Sequence, residues 1–425
     1  MLADTRPLRV KEFRRLWVAS IITVVGAQLT VVSVPAQIYA ETNSSAYVGL
    51  TGVFGLVPLI IFGLYGGALA DAFDRRRLLQ ISTVGLIGSS GLLFLQAALN
   101  VGSPWVILAI FAVQQAFFAI NQPARTALLP RILPSSQLAA ANSLSMTVFQ
   151  AGAIGGPLIG GALIPVFGFS WLYAIDTLTL FATLGAVIAL PAMPPLGKSP
   201  RAGLASVVDG FRYLGGHPVL MMSFVVDIIA MVFGMPRALF PQIAHVSFGG
   251  PTDGGLAFAL LFAGIPIGAV LGGIFSGWVS RIERQGLAGV VAIAVWGAGV
   301  AGFGWAAGSS HGTAGVFLWL ALLGLIVGGA ADMASAAFRT TMLQTAANDE
   351  VRGRLQGVFI VVVAGGPRIA DVVHGLAASA VGTTAAAVGG GLLVIVFVLF
   401  AAAAVPSFVR YRAPSLPLYE SNVHE

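Results

Sequence analysis

The chain contains no cysteine, which excludes disulfides and every thiolate metal site. Charge is scarce too: 9% of the 425 residues are Asp, Glu, Lys or Arg, against roughly 25% in a typical soluble domain. Of the basic residues only Lys11 and Lys198 are lysine. The histidines (His217, His245, His311, His374, His424) are scattered and show no metal-ligand spacing. Nothing resembles a nucleophile elbow or an HExxH helix. What is abundant is apolar sequence, at 57%, more than a soluble core needs. The composition is that of an integral membrane protein. The +6 net charge comes from basic residues in short loops between apolar runs. It therefore reads as orientation in a bilayer and not as a nucleic-acid surface.

Two nucleotide-like patterns fail on context. Gly297, Gly299 and Gly302 spell G-x-G-x-x-G inside an apolar run with no preceding strand, so helix packing explains them. Gly197-Lys198-Ser199 has Ala192 where a P-loop needs its first glycine, and prolines surround it. No enzyme, cofactor or metal is expected, and energy for any transport must come from somewhere other than ATP bound by this chain.

A spanning helix needs about 20 mostly apolar residues. Twelve runs qualify: 16–40, 46–70, 78–99, 104–123, 138–164, 169–190, 218–240, 254–278, 287–306, 314–338, 355–379 and 385–409. The first is too long for a signal peptide's apolar region of about 7–15 residues, so it is read as a retained span. The loops 41–45, 100–103, 165–168, 241–253, 307–313 and 380–384 hold no Lys or Arg. The basic residues sit in the alternate loops and the termini, except Arg237, Arg339 and Arg368, which lie within or at the ends of spans. Both termini are therefore expected on the cytoplasmic side of the membrane.

The run GLYGGALADAFDRRR from Gly63 to Arg77 organises the chain as a hairpin between the second and third spans. A weaker copy, GGIFSGWVSRIER, starts at Gly272, with Gly66, Gly67 and Arg75 falling on Gly272, Gly273 and Arg281. Arg125-Thr126 after the fourth span is matched by Arg339-Thr340 after the tenth. The sequence thus predicts an all-α membrane protein of two pseudo-symmetric six-helix bundles, 1–190 and 218–411. A linker at 191–217 and a tail at 412–425 complete it. The linker opens on PAMPPLGKSP. Leu204, Val207, Val208, Phe211 and Leu214 then recur at the spacing of an amphipathic helix. Parallel halves place a substrate site between them, near the midplane.

The fifth span carries Gly152, Gly155, Gly156, Pro157, Gly160 and Gly161 in the pattern G-x-x-x-G-P-x-x-G-G. Spaced glycines admit a neighbouring backbone and a proline makes a bend point, so this is a candidate hinge helix; tight packing alone is the alternative.

At this point the chain resembles the major facilitator superfamily. GALAD from Gly67 to Asp71, with the trailing arginines, resembles that superfamily's loop motif, and the fifth span resembles the signature of its exporter, or antiporter, branches. Shorter runs resemble the bacterial enterobactin exporter family: VPAQI from Val34, GFRY from Gly210, RALFP from Arg237, TMLQT from Thr341 and GRLQG from Gly353. One departure is Ala72, where relatives often carry a basic residue. The resemblance therefore implies a gating loop of Gly67, Asp71, Asp74, Arg75 and Arg76, its salt bridge either weaker or rebuilt around Asp74 and the arginines Arg75 to Arg77.

The resemblance also implies that spans one, four, seven and ten line the cavity, with two, five, eight and eleven at its sides. That makes Gln28, Gln114, Asn121, Arg125 and Gln150 cavity candidates, polar glue between helices being the competing reading. Arg368, Asp371 and His374 join them, three residues apart along one side of the eleventh span. Asp227 and Asp332 are the proton-coupling candidates. Both lie on cavity spans without a basic residue one turn away in sequence, and desolvation there penalises charge. The alternative is an arginine from another helix neutralising each. The implied function is proton-coupled export of an amphiphilic small molecule, a siderophore above all, by a monomer. Multidrug or macrolide efflux is the runner-up, and a non-transporting membrane sensor a rival from another class.

Overall fold

The computed structural model describes the backbone of residues 4–194, 212–346 and 349–412, and the side chains of these residues other than 64–72, 280 and 344–361. The amphipathic linker helix, apart from residues 212–214, and the tail beyond residue 412 lie outside the described residues, as does the side chain of Asp71. Ten described helices are long and apolar enough to cross a membrane. One is a 54-residue helix, Ser135–Ile188, interrupted at Gly168, where φ is 74° and ψ 171°. The chain reverses there. The arm before the break runs parallel to the first helix, with Gly152, Gly156 and Gly160 against Val24, Gln28 and Val32. The arm after it runs antiparallel, Thr183 meeting Thr23 and Tyr173 meeting Gln37.

The helices are α1 (Lys11–Thr42), α2 (Ser45–Ala72), α3 (Arg75–Ala98), α4 (Pro104–Ile132), α5 (135–167) and α6 (169–188). The second set is α7 (Pro218–Gly234), α8 (Gly255–Ile274), α9 (Gln285–Gly308), α10 (Val316–Ala346), α11 (Asp349–Val381) and α12 (Thr383–Ala404). Together they are consistent with the twelve spans expected, all α-helical, as a membrane interior requires of backbone polar groups.

The seventh span departs from its sequence reading. The expected helix 218–240 stops at Gly234, passes through Met235-Pro236 and a 3-10 turn at Arg237–Leu239, and continues as a π-turn at Ile243–Ser247. The expected loop 241–253 is thus partly helical. Proline at 236 cannot donate a backbone hydrogen bond, and side chains of other helices bond to carbonyls near this end of α7. Trp296 Nε1 donates to the Ala230 carbonyl (3.2 Å) and His374 Nε2 to that of Phe233 (3.1 Å). A carbonyl only accepts, which assigns the proton of His374 to Nε2.

The two halves meet closely at the end that carries the arginine-free loops. An added Cβ at Gly52 of α2 would stand 2.1 Å from the Arg368 carbonyl of α11, and one at Gly49 2.6 Å from that of Asp371. Gly161 of α5 approaches Ala259 of α8 in the same way, and Ser45 Oγ donates to Gln242 Oε1 (2.6 Å). The largest apolar cluster crosses this junction, joining Leu29, Val32, Ala36 and Ile164 to Leu239, Phe240, Phe258 and Phe262. In α1, every residue from Val32 to Tyr39 except Pro35 is buried. The bundle is shut at its arginine-poor end.

Candidate functional site

Asp227 lies nine residues into α7, about 14 Å along it. At that depth it is 1% exposed. Its Oδ1 is 2.8 Å from Nη2 of Arg339, on α10. Arg339 is buried as well, and its Nη1 donates to Ser335 Oγ one turn earlier (2.9 Å). The contact is an ion pair by distance, and for Asp227 it is the arrangement named above as the alternative to proton coupling, an arginine of another helix neutralising the acid. Neither carboxylate oxygen of Asp227 has an aligned hydrogen-bond donor among the described residues, nor does Nε of Arg339 have an acceptor. A buried carboxylate so incompletely satisfied is costly to hold as a plain structural strut.

Asp332 stands two turns before Arg339 on α10 and is half-buried. The charges that act on it most strongly are Arg339 and Arg237; those acting on Asp371 are Arg368 and Arg237. Arg237, on the 3-10 turn at the break of the seventh span, is thus near enough to act on both carboxylates through space.

Arg368 of α11 crosses to the other half. Its Nη2 donates to Gln115 Oε1 on α4 (3.2 Å), its guanidinium lies over Phe111 at 5.4 Å, and Gly55 of α2 leaves room beside it.

The remaining candidates divide. Gln115, not Gln114, meets Arg368; Gln114 is buried. Asn121 turns away, its Nδ2 donating to Ser82 Oγ (2.8 Å) and Thr83 Oγ1 (3.3 Å) on α3. This is the polar-glue arrangement. Arg125 donates to Ser20 Oγ on α1, within the same half. Gln28 packs its Cβ and Cγ against Gly156 and Gly152, and Gln150 is half-buried on α5. Along α11, the single side expected for Arg368, Asp371 and His374 splits. Arg368 faces α4, and His374 faces the carbonyl end of α7 in a space left by Gly390. Asn121→Ala is expected to cost about 1 kcal/mol of stability, the worth of a buried hydrogen bond. It should leave the substrate KM unchanged, which thermal unfolding and transport kinetics on one preparation will check.

The glycines of α5 serve contact. Gly152, Gly156 and Gly160 admit side chains of α1, and Gly161 admits the backbone of Ala259. Helical φ/ψ continues through Pro157, and the interruption falls at Gly168. At the loop before α3, Asp74 bonds to backbone and, among the described residues, forms no ion pair with the arginines. Its Oδ1 accepts from Arg77 N (3.1 Å), capping α3, and its Oδ2 accepts from Met193 N (2.8 Å). Arg75 donates to the Ala127 carbonyl (2.8 Å), Arg76 to that of Ile188 (2.6 Å) and Arg131 to that of Pro194 (2.6 Å). The hairpin thus grips the backbone that leaves α6.

Arg339 is the residue of this site that sequence reading did not place. Its position in register with Arg125 marked it as a repeated feature, but not as the partner of Asp227.

Comparison with known proteins bears on this arrangement. A family model described as "Transmembrane secretion effector" matches residues 3–425. The enterobactin exporter EntS of Shigella dysenteriae is 28% identical over 382 residues, covering 86% of this chain and 85% of that protein. EntS of Citrobacter koseri is 28% identical over 379 residues with the same coverage. A POT-family peptide transporter crystallised with alafosfalin superposes with a TM-score of 0.77 at 12% identity, covering 94% of this chain and 95% of that one. With the fold of a solved transporter and a family match along nearly its whole length, the chain is a member of the transmembrane secretion effector family, exporters of the major facilitator superfamily.

Proposed function

We propose that this chain is a proton-coupled exporter of an amphiphilic siderophore, working by alternating access in a bacterial inner membrane with both termini in the cytoplasm. The observation that carries the proposal is the buried Asp227–Arg339 pair, with Asp332 on the same arginine's helix. A charge near mid-bilayer costs about 2.5–3.5 kcal/mol or more, so such groups are kept for work. In the state described, Arg339 neutralises Asp227, the arginine-poor end is shut, and the site faces the arginine-rich end. On the proposed orientation that end is cytoplasmic.

Substrate enters from the cytoplasm while the acids are ionised. After the halves rock and the outer end opens, a proton reaches Asp332 or Asp227. A neutralised carboxyl releases its hold on Arg339, which is then left uncompensated and turns to the other acid. The two states therefore differ in their affinity for protons, which is the differential a gradient needs to drive the cycle. The Phe111–Arg368–Gln115 group supplies an aromatic face, a guanidinium and an amide to a polyphenolic or other amphiphilic cargo. The EntS relatives favour the siderophore reading. The aromatic and cationic surroundings leave drug efflux as the second reading.

The decisive experiment uses purified protein in liposomes with an imposed pH difference and enterobactin as the probe cargo. Wild-type protein should accumulate cargo against its gradient only when the pH difference is present. Asp332→Asn should bind cargo but lose at least about tenfold of the pH-driven rate. Transport indifferent to the pH difference would overturn the coupling, and pH-driven transport of lipophilic drugs but not enterobactin would transfer the cargo to the second reading.

A further inference from the structure

On the membrane-facing side of the first half, α1 and α6 enclose a groove of about 530 Å³ at the arginine-rich end. It is lined by Val18, Ala19, Ile22, Ala182, Gly185 and Ala186, with Arg14 and Arg15 at its mouth. From Arg15 to Ile22 the groove descends two helical turns, about 10 Å. Its floor is made of small residues, and a side chain added at Gly185 would meet nothing within 4 Å. The space is open, apolar and turned toward lipid.

The two arginines are what give it a chemistry. Arg75, Arg76 and Arg131, at the same end of the bundle, each donate to a backbone carbonyl. Arg14 and Arg15 are exposed, and their guanidiniums make no hydrogen bond or ion pair with any described residue. Two free guanidiniums above an apolar trough present charge at headgroup depth and hydrocarbon below it. An amphiphile with a phosphate at one end and an acyl chain at the other satisfies both.

We propose that this groove is a binding site for an anionic phospholipid of the adjoining leaflet. Arg14 and Arg15 clamp its phosphate, and an acyl chain lies along Val18 and Ile22 over the alanine and glycine floor. Its occupant would tie α1, which packs on both α5 and α6, to the leaflet it emerges from. The site includes none of Asp227, Arg339 and Arg368, and it stands whether or not the cargo is a siderophore.

Native mass spectrometry of the detergent-purified protein tests it, with phosphatidylglycerol and phosphatidylcholine of identical acyl chains as probes. The wild type should retain phosphatidylglycerol roughly tenfold more strongly than phosphatidylcholine. Arg14→Gln/Arg15→Gln should erase that preference. Gly185→Leu, which fills the trough and leaves the arginines in place, should lower phosphatidylglycerol retention to a similar degree. It tests the same site should the double variant fail to fold. Excess inorganic phosphate should not displace the lipid, since a free anion gains nothing from the trough. Equal retention of the two lipids by the wild type, an unchanged preference in the arginine variant, or ready displacement by phosphate would each overturn the proposal.

Discussion

Arg339→Ala is expected to destabilise the protein by about 3–5 kcal/mol, the usual result of stripping one partner from a buried ion pair. Asp227 would be left inside the bundle with no cation within hydrogen-bond distance, and Ser335 would lose its donor. Asp227→Asn should also destabilise, because it strands the guanidinium. The pairing predicts that Asp227→Asn/Arg339→Gln recovers much of the lost stability, since two neutral amides replace two opposite charges. Export should not recover with it. Thermal unfolding of the four proteins, read beside transport in liposomes, completes the cycle. A double variant no more stable than the worse single variant would show that the two residues do not act as a pair.

The second large effect concerns closure. Gly52→Leu places its Cβ against the Arg368 carbonyl, where the separation built on the present backbone is 2.1 Å. A backbone carbonyl cannot move aside as a flexible side chain can, so α2 and α11 must part. The expected shift toward a state open at the arginine-poor end is more than tenfold, about 1.4 kcal/mol or greater. Because the chain has no cysteine, spin labels at Asn43→Cys and Ser379→Cys report this end without background. Wild-type protein should show a short distance and Gly52→Leu a longer one. Gly63→Leu, where an added Cβ meets nothing within 4 Å, should behave as wild type. A short distance retained in Gly52→Leu would mean that the contact does not hold this end shut.

The span pattern was legible because hydrocarbon leaves few choices: each apolar run had to become a helix, and most ended within several residues of where they were expected. The seventh was misread because Pro241, Gly249, Gly250 and Pro251 look like loop chemistry. The helix nonetheless continues to Ser247 with its interruption placed earlier, at Met235-Pro236. Gln114, Asn121 and Arg125 illustrate a different limit. Their spacing places them on one side of α4, but only the neighbours decide what that side meets. Ser82 and Thr83 of α3 claim Asn121, and Arg368 reaches Gln115, one residue round from Gln114. Asp227 and Asp332 were visible as acids on apolar runs, whereas the pairing of Asp227 with Arg339 comes from how α7 sits against α10. The glycines of α5 were conspicuous in sequence, yet whether they bend or merely admit a neighbour depends on Val24, Gln28, Val32 and Ala259.

Gly168 has one more implication. It joins α5 and α6 through a single left-handed residue, and an added Cβ there would touch nothing. A corner made from one residue has no slack. If α5 tilts as the halves rock, α6 and the hydroxyl ladder it shares with α1 must swing with it as a single lever, and a tag spliced into that corner would uncouple the arms.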